Sequence, residues 1–231
     1  MSIYWILFIG TALASWLVQW NLKSKFKKYS KLALGNGMTG KEIAEMMLRE
    51  NGITDVRVVS TNGMLTDNYN PTNHTINLSE GVYGSYSVAA AAVAAHETGH
   101  AIQHAKAYGP LKVRSALVPV ISFSSQWVTW ILLGGMLLMG RDGRGIGAPI
   151  MLVGIGLFAA ITLFSFITLP VEIDASRRAI AWLSAAGITN SSTYEPAKDA
   201  LKAAAYTYVV AALSSLATLI YYISIFLGGR R

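Results

Sequence analysis

Four long stretches of the chain consist almost entirely of apolar residues, at positions 2–22, 116–139, 146–170 and 206–227. Each is long enough to cross the hydrocarbon core of a bilayer as an α-helix, which takes about 20 residues. Lysines follow the first stretch rather than precede it, which is typical of an uncleaved membrane anchor and not of a secretory signal peptide. The pattern therefore predicts a mainly α membrane protein with about four transmembrane helices.

The region between the first and second stretches, residues 23–115, has shorter and more polar patterns. Thr39–Glu42 matches a capping box and predicts the start of a helix. Val56–Ser60 and His74–Leu78 are short runs typical of strands. An alanine-rich run at 88–107 then predicts a longer helix. We expect a small α+β domain in which the strands offer an edge to an extended peptide.

The composition supports a membrane protein and limits its chemistry. Hydrophobic residues make up 53% of the 231 residues and charged residues only 13%, about half the usual charged share. The chain contains no cysteine, so disulfides and thiolate metal ligands are excluded. The net charge is +7, but the basic residues flank apolar segments, which indicates membrane orientation rather than nucleic-acid binding.

The distribution of basic residues predicts how the chain is oriented. With four spans, 15 of the 19 Lys and Arg residues fall on one side of the membrane, together with residues 23–115 and 171–205. The positive-inside rule places that side in the cytoplasm and both termini outside. We therefore predict a multi-pass protein of the cell membrane with both polar segments on the cytoplasmic side.

One motif in the alanine-rich helix carries a definite chemistry. His96 and His100 are four residues apart, so a helix places them on one face, where two imidazoles can bind one zinc ion. Glu97 beside them can accept a proton from a zinc-activated water, as expected of a zincin-like catalytic domain. The alternative is a pair of polar histidines on an exposed face. The apolar sequence, with Ser87 as a natural N-cap, favours a buried helix instead, in which His and Glu need partners.

Catalytic zinc sites use three protein ligands, and the sequence leaves more than one candidate for the third. Glu172 begins the helical segment 171–205, and its carboxylate is a suitable ligand. Glu172 is also an acid that the dipole at a helix start favours without any metal. His104 shares a helix face with His96, but it lies roughly 12 Å further along the axis, which favours a supporting role. His74 is a weaker candidate and fits a strand residue better.

Three motifs together resemble the YugP-type membrane zinc metallopeptidases of bacteria, over nearly the whole chain. The motifs are Gly63–Pro71, Ala94–His104 and Leu169–Ser176. A more distant similarity is to the gluzincin peptidases, including the HtpX type. The resemblance implies one zinc ion with His96, His100 and Glu172 as its ligands. It also implies that Glu97 is the general base.

The sequence departs from the wider gluzincin group at Ser176, where that group has an aspartate supporting a zinc-bound histidine. Asp174 and Asp67 are alternatives for this supporting role. The resemblance does not assign the residue that stabilises the transition state. The candidates for it are His104, Arg177, Tyr83 and Tyr86.

The leading hypothesis is a membrane-anchored zinc metalloendopeptidase that hydrolyses peptide bonds through a zinc-activated water, with Glu97 as general base. Its expected partners are a peptide or protein substrate and the lipid bilayer, and no nucleic acid. The alternative is a catalytically inactive membrane protein in which His74 or Asp67 closes a structural or regulatory zinc site. A transporter is less favoured, because the spans contain no clear pair of ionisable residues.

Overall fold

The computed structural model of the protein describes residues 3–139 and 145–228. The predicted polar turn at Arg141–Arg144 and the terminal Arg230 and Arg231 lie outside the described residues. The described elements are α1 (Ile3–Tyr29), α2 (Gly40–Glu50), β1 (Arg57–Thr61), β2 (Asn68–Asn70), β3 (Thr75–Ser79), α3 (Glu80–Tyr83), α4 (Val88–Ala105), α5 (Gly109–Leu138), α6 (Gly147–Ala185) and α7 (Tyr194–Gly228).

Four of these helices are long and apolar enough to cross a membrane, namely α1, α5, α6 and α7. The alanine-rich helix α4 does not belong to this set. The expected fold class, a mainly α membrane protein with four apolar helices and a small α+β part, is therefore confirmed. The chain divides into two compact units, and each is described below by itself.

The first unit is built from the apolar parts of the four long helices, at 1–16, 113–169 and 208–231. Within it, α5 and α6 approach closely at Gly135, where an added Cβ would lie only 2.6 Å from the backbone nitrogen of Met151. The Thr162 and Ser215 hydroxyls also form a hydrogen bond of 2.7 Å between α6 and α7. Small residues and interhelical hydroxyl contacts are how helices associate in lipid, where apolar burial gives little driving force.

Helix α6 continues through Pro170 and joins the predicted third span to the predicted helical segment that begins at residue 171. Proline lacks the N–H that would bond to the carbonyl group four residues earlier, and it usually ends or kinks a helix. Here the residues that follow have a strong reason to remain helical, because four of them repeat on one face and are completely buried. They are Val171, Ala175, Ala179 and Leu183. Burial of this face outweighs the lost hydrogen bond.

The second unit contains residues 17–112 and 170–207 and has a three-stranded sheet with the order β1-β3-β2. Strand β3 pairs in parallel with β1 and antiparallel with β2. The two strands predicted from the sequence are present, with boundaries shifted by one residue. His74, predicted to begin β3, lies just before it with a positive φ of 52°. Strand β2 was not predicted, because three residues are too few to show a period.

The predicted caps hold the helices of this unit in place. The Thr39 and Glu42 side chains form the expected capping box at the start of α2. The Ser87 hydroxyl accepts a hydrogen bond of 3.2 Å from the Ala90 N–H at the start of α4. Because the first turns of α4 are nearly all alanine and completely buried, this helix can pack closely against α2 and the sheet.

Helices α4 and α6 approach closely at Gly99. An added Cβ at this glycine would lie 2.8 Å from the carbonyl oxygen of Ala175 and 3.2 Å from its Cα. No real side chain tolerates such a distance to backbone atoms, so a larger residue would force the helices apart. Gly99 lies between His96 and His100, and Ala175 is one turn beyond Glu172. The contact therefore sets the separation of the predicted ligands.

The substitution Gly99→Ala should lower the free energy of unfolding by about 1–3 kcal/mol, the usual cost of overpacking a tight contact. Thermal unfolding of the full-length protein in detergent would measure the change. Gly156→Ala on α6 is the matched control, because an added Cβ there meets nothing within 4 Å. We expect the control to be neutral or slightly stabilising. Equal stability of the two variants would contradict the close helix contact.

Candidate metal centre

Three predicted ligands converge in the second unit. The Nε2 atom of His96 lies 3.3 Å from Glu172 Oε2, and Nε2 of His100 lies 3.5 Å from the same oxygen. Their ligand atoms all lie within 4.8 Å of one another, and no other such cluster of three is found among residues 3–139 and 145–228. Glu172 is only 2% exposed. Helix α4 thus brings two nitrogen donors, and helix α6 one oxygen donor, to a single point.

The remaining ring nitrogens of both histidines are held by other side chains. Nδ1 of His96 lies 3.1 Å from the Ser176 hydroxyl, and Nδ1 of His100 lies 3.0 Å from Oε1 of Gln103. When Nδ1–H donates to an oxygen, Nε2 carries the free lone pair, which is the form that binds a metal. Two imidazoles and one carboxylate are also a common donor set of catalytic zinc sites. The residues present therefore fit a zinc ion.

Gln103 is a functional candidate that the sequence analysis missed. It is completely buried on α4, and its amide nitrogen donates to the Val171 carbonyl and to Asp174 Oδ2, each at 2.8 Å. Gln103 therefore connects His100 to Asp174, and it fixes α6 against α4. A polar residue three positions after His100 in an apolar helix was the available signal, since buried amides need partners.

Ser176 itself occupies the supporting position on His96. Neither of the predicted replacements makes this contact. Asp174 accepts from Gln103 and from Arg178 Nε, at 2.8 and 2.6 Å. Asp67 accepts from the backbone N–H and the hydroxyl of Ser79, at 2.7 and 3.0 Å.

Glu97 lies beside the donor cluster and is 8% exposed. Its Oε2 accepts a hydrogen bond of 2.9 Å from the backbone N–H of Tyr69, the middle residue of β2. Burial raises the pKa of Glu97 above its ordinary value, and the nearby His96 and His100 side chains counteract this only in part. Burial alone would lower the pKa of His100, but the Glu172 and Glu97 carboxylates raise it overall. A buried carboxylate with a raised pKa is suited to accept and then return a proton.

His104 and His74 lie outside the donor cluster. Nδ1 of His104 lies 2.7 Å from the Tyr69 hydroxyl, so this histidine contacts the strand that also holds Glu97. Nδ1 of His74 lies 2.6 Å from Asp55. Of the candidates for the third ligand, Glu172 lies next to the histidine pair, whereas His104 does not.

The other residues considered for transition-state stabilisation have their recorded contacts elsewhere. The Lys41 ammonium group lies 5.6 Å from the centroid of the Tyr83 ring, and Tyr86 is 58% exposed. Arg178, the neighbour of the candidate Arg177, donates to Asp174. His104 is linked to Glu97 through Tyr69 of β2. The Tyr69 hydroxyl contacts His104 Nδ1, and the Tyr69 N–H donates to Glu97.

Comparison with known proteins identifies the class to which this fold and donor cluster belong. Residues 4–227 match the family described as "Putative neutral zinc metallopeptidase", so the chain belongs to this family. It is also 43% identical over 216 residues to the "Putative membrane protease YugP" of Bacillus subtilis (strain 168), across 94% of this chain and 93% of that protein. No solved structure matches the chain. The resemblance inferred from the three motifs is confirmed, and the family implies zinc as the metal.

Replacing Gln103 with leucine should weaken zinc binding by about 10- to 100-fold, the usual effect of removing a residue that orients a metal-binding histidine. The reason is that the His100 Nδ1 atom loses its hydrogen-bond partner, and the connection between His100 and Asp174 through Gln103 is lost. Competition between the full-length protein and a zinc chelator would give the affinity. Gln126→Leu, an exposed glutamine on α5, is the matched control. Unchanged affinity in a folded Gln103→Leu protein would contradict the orienting role.

Proposed function

We propose that this protein is a membrane-anchored zinc metalloendopeptidase with one zinc ion. The proposed zinc ligands are His96, His100 and Glu172, and the proposed general base is Glu97. One observation carries the proposal: three donors of the right chemistry converge on one point, with a buried carboxylate beside them. The family membership supports a peptide substrate.

A zinc ion held by these three residues would supply a Lewis acid that polarises the scissile carbonyl group and makes water a better nucleophile. In the proposed reaction, the water oxygen bonds to the carbonyl carbon while Glu97 takes one proton from the water. The C–N bond then breaks, and Glu97 returns the proton to the leaving amine. Before a substrate binds, the Tyr69 N–H holds Oε2 of Glu97 and so orients this carboxylate beside the donor cluster.

We place the peptide substrate along β2. This strand is at one edge of the sheet, and its partner β3 covers the other side. An extended peptide can bind such an edge through main-chain hydrogen bonds, and an open edge accepts an internal stretch of a chain. The Tyr69 contact to Glu97 brings this edge next to the proposed base, which supports endopeptidase activity.

The alternative function, a structural or regulatory zinc site, would require a fourth protein ligand. The two residues considered for that position are engaged elsewhere, since Asp67 accepts from Ser79 and His74 pairs with Asp55. These contacts favour an open, three-ligand site. They are the reason for preferring catalysis over a structural role.

The variant Glu97→Gln should keep its zinc and lose peptide cleavage by about 100- to 10,000-fold, because an amide cannot accept the proton from water. Casein or peptide digestion in detergent, with metal analysis of the same sample, would test this. Glu45→Gln removes an exposed acid on α2 and is the matched control. Unchanged cleavage in Glu97→Gln would rule out its role as base, and loss of zinc would indicate a ligand instead.

We further propose that the zinc site is on the cytoplasmic side and that both termini are outside. The support is the excess of basic residues in the segments 23–115 and 171–205, as the positive-inside rule requires. The four apolar helices supply the even number of crossings that this arrangement needs.

Single-cysteine variants can test the orientation without background, because the chain has no cysteine of its own. In right-side-out membrane vesicles, a membrane-impermeant maleimide should label Asp142→Cys, which lies between the second and third spans. It should label Glu45→Cys only after the vesicles are permeabilised. The reverse pattern of labelling would place the zinc site outside.

A further inference from the structure

A cavity of about 560 Å³ lies in the second unit, between the end of α1 and the beginning of α7. Residues of α1 and of the turn after it form one wall, including Lys28, Tyr29 and Lys31. The first turns of α7 form the other wall, including Glu195, Pro196 and Asp199. The cavity is separate from the zinc site, and its residues have no part in the proposed peptidase reaction.

Asp199 holds the two walls together. Its Oδ1 accepts a hydrogen bond from Lys25 Nζ and its Oδ2 accepts one from the Tyr29 hydroxyl, each at 2.6 Å. Tyr29 is itself 8% exposed, so this contact is largely shielded from water. The shape of the cavity is therefore fixed by the protein and does not depend on a ligand.

Both acids of the cavity already have a cationic partner. Asp199 is paired with Lys25, and Glu195 lies 3.2 Å from Lys198 Nζ. The ammonium groups of Lys28 and Lys31 are exposed and form no ion pair with any residue in the described part of the chain. The Lys28 ammonium group also helps to lower the pKa of Asp199, and it lies 5.3 Å from the centroid of the Tyr29 ring. Around the cavity, four lysines (Lys25, Lys28, Lys31 and Lys198) stand against two carboxylates, and this excess of positive charge favours an anionic ligand.

The positions of Lys28 and Lys31 in the sequence indicate which kind of anion the cavity binds. Lys28 and Lys31 follow directly after the apolar part of α1, in a stretch that also contains Lys23 and Lys27. Lysines that follow a membrane-spanning segment in the sequence are attracted to anionic lipid headgroups. The first turn of α7 adds the positive end of a helix dipole to the same cavity. The Tyr29 hydroxyl is engaged by Asp199, and Pro196 adds an apolar contact surface beside the lysines.

We propose that this cavity binds the headgroup of an anionic phospholipid, with Lys28 and Lys31 pairing with its phosphate. The shared chemistry is a phosphate ester, and the membrane location favours a lipid over free phosphate. The site anchors α1 and α7 to the lipid surface at the side where the basic residues are most numerous.

Native mass spectrometry of the full-length protein in detergent, titrated with dioctanoyl phosphatidylglycerol, tests the proposal. We expect the double variant K28Q/K31Q to weaken binding by about 10- to 30-fold, since each lysine near a lipid surface contributes about a factor of five. The conservative variant K28R/K31R should retain binding. R49Q/R57Q removes two exposed charges on α2 and β1 and should also retain it.

Two further ligands separate a lipid site from other anion sites. Dioctanoyl phosphatidylcholine, which has no net charge, should bind at least tenfold more weakly than phosphatidylglycerol. Inorganic phosphate should not displace the lipid when it is added at the same concentration as the lipid that saturates the protein. Equal binding of phosphatidylcholine, competition by phosphate, or an equal loss in R49Q/R57Q would overturn the proposal, as would full binding by K28Q/K31Q.

Discussion

The contact between Gly99 and Ala175 is the constraint on which the candidate site depends. An imidazole pair and a carboxylate from two helices can share one ion only if the helix axes approach closely. The hydrogen atom that serves as the side chain of Gly99 allows this approach, and the buried small residues on α4 and α6 extend it. The cost of burying His, Glu and Gln at this contact is offset because each of them has a polar partner across the interface.

Hydrogen bonds around the proposed ligands organise the site beyond the three donors. Ser176 on α6 orients the His96 imidazole, and Gln103 on α4 orients the His100 imidazole. Gln103 also bonds to the backbone of Val171, next to Glu172. The same side chain therefore orients one nitrogen donor and positions the helix that carries the oxygen donor. Helix packing and the geometry of the proposed metal site are therefore coupled through a single buried amide.

The sequence predicted those features that depend on local spacing. The pair His96 and His100, the Ser87 cap and the capping box at Thr39 are all set within one or two helical turns, where periodicity is informative. Glu172 could be proposed only as one alternative, since its distance from α4 depends on how two distant helices pack. The roles of Gln103 and Ser176 rest on contacts across 68 and 80 positions of the chain, which no local pattern reports.

Contacts between distant segments override local sequence preference at two places. Helix α6 passes through Pro170 without a break, because the residues from Val171 onward, which the sequence predicts to be helical, bury one face completely. Strand β2 was not expected, because its three residues have polar neighbours and little intrinsic preference for a strand. Strand β2 exists through its pairing with β3. In both places contacts between distant segments decide the local structure.

The hydrogen bond from the Tyr69 N–H to Glu97 has a consequence for the resting protein. An amide hydrogen makes one good bond at a time, so a peptide that adds to this edge at Tyr69 must displace the carboxylate. Binding of the peptide would then release Glu97, the proposed base. Without a peptide, the Glu97 carboxylate would stay hydrogen-bonded to Tyr69. In the proposed peptidase, this competition would limit hydrolysis to times when a peptide lies along β2.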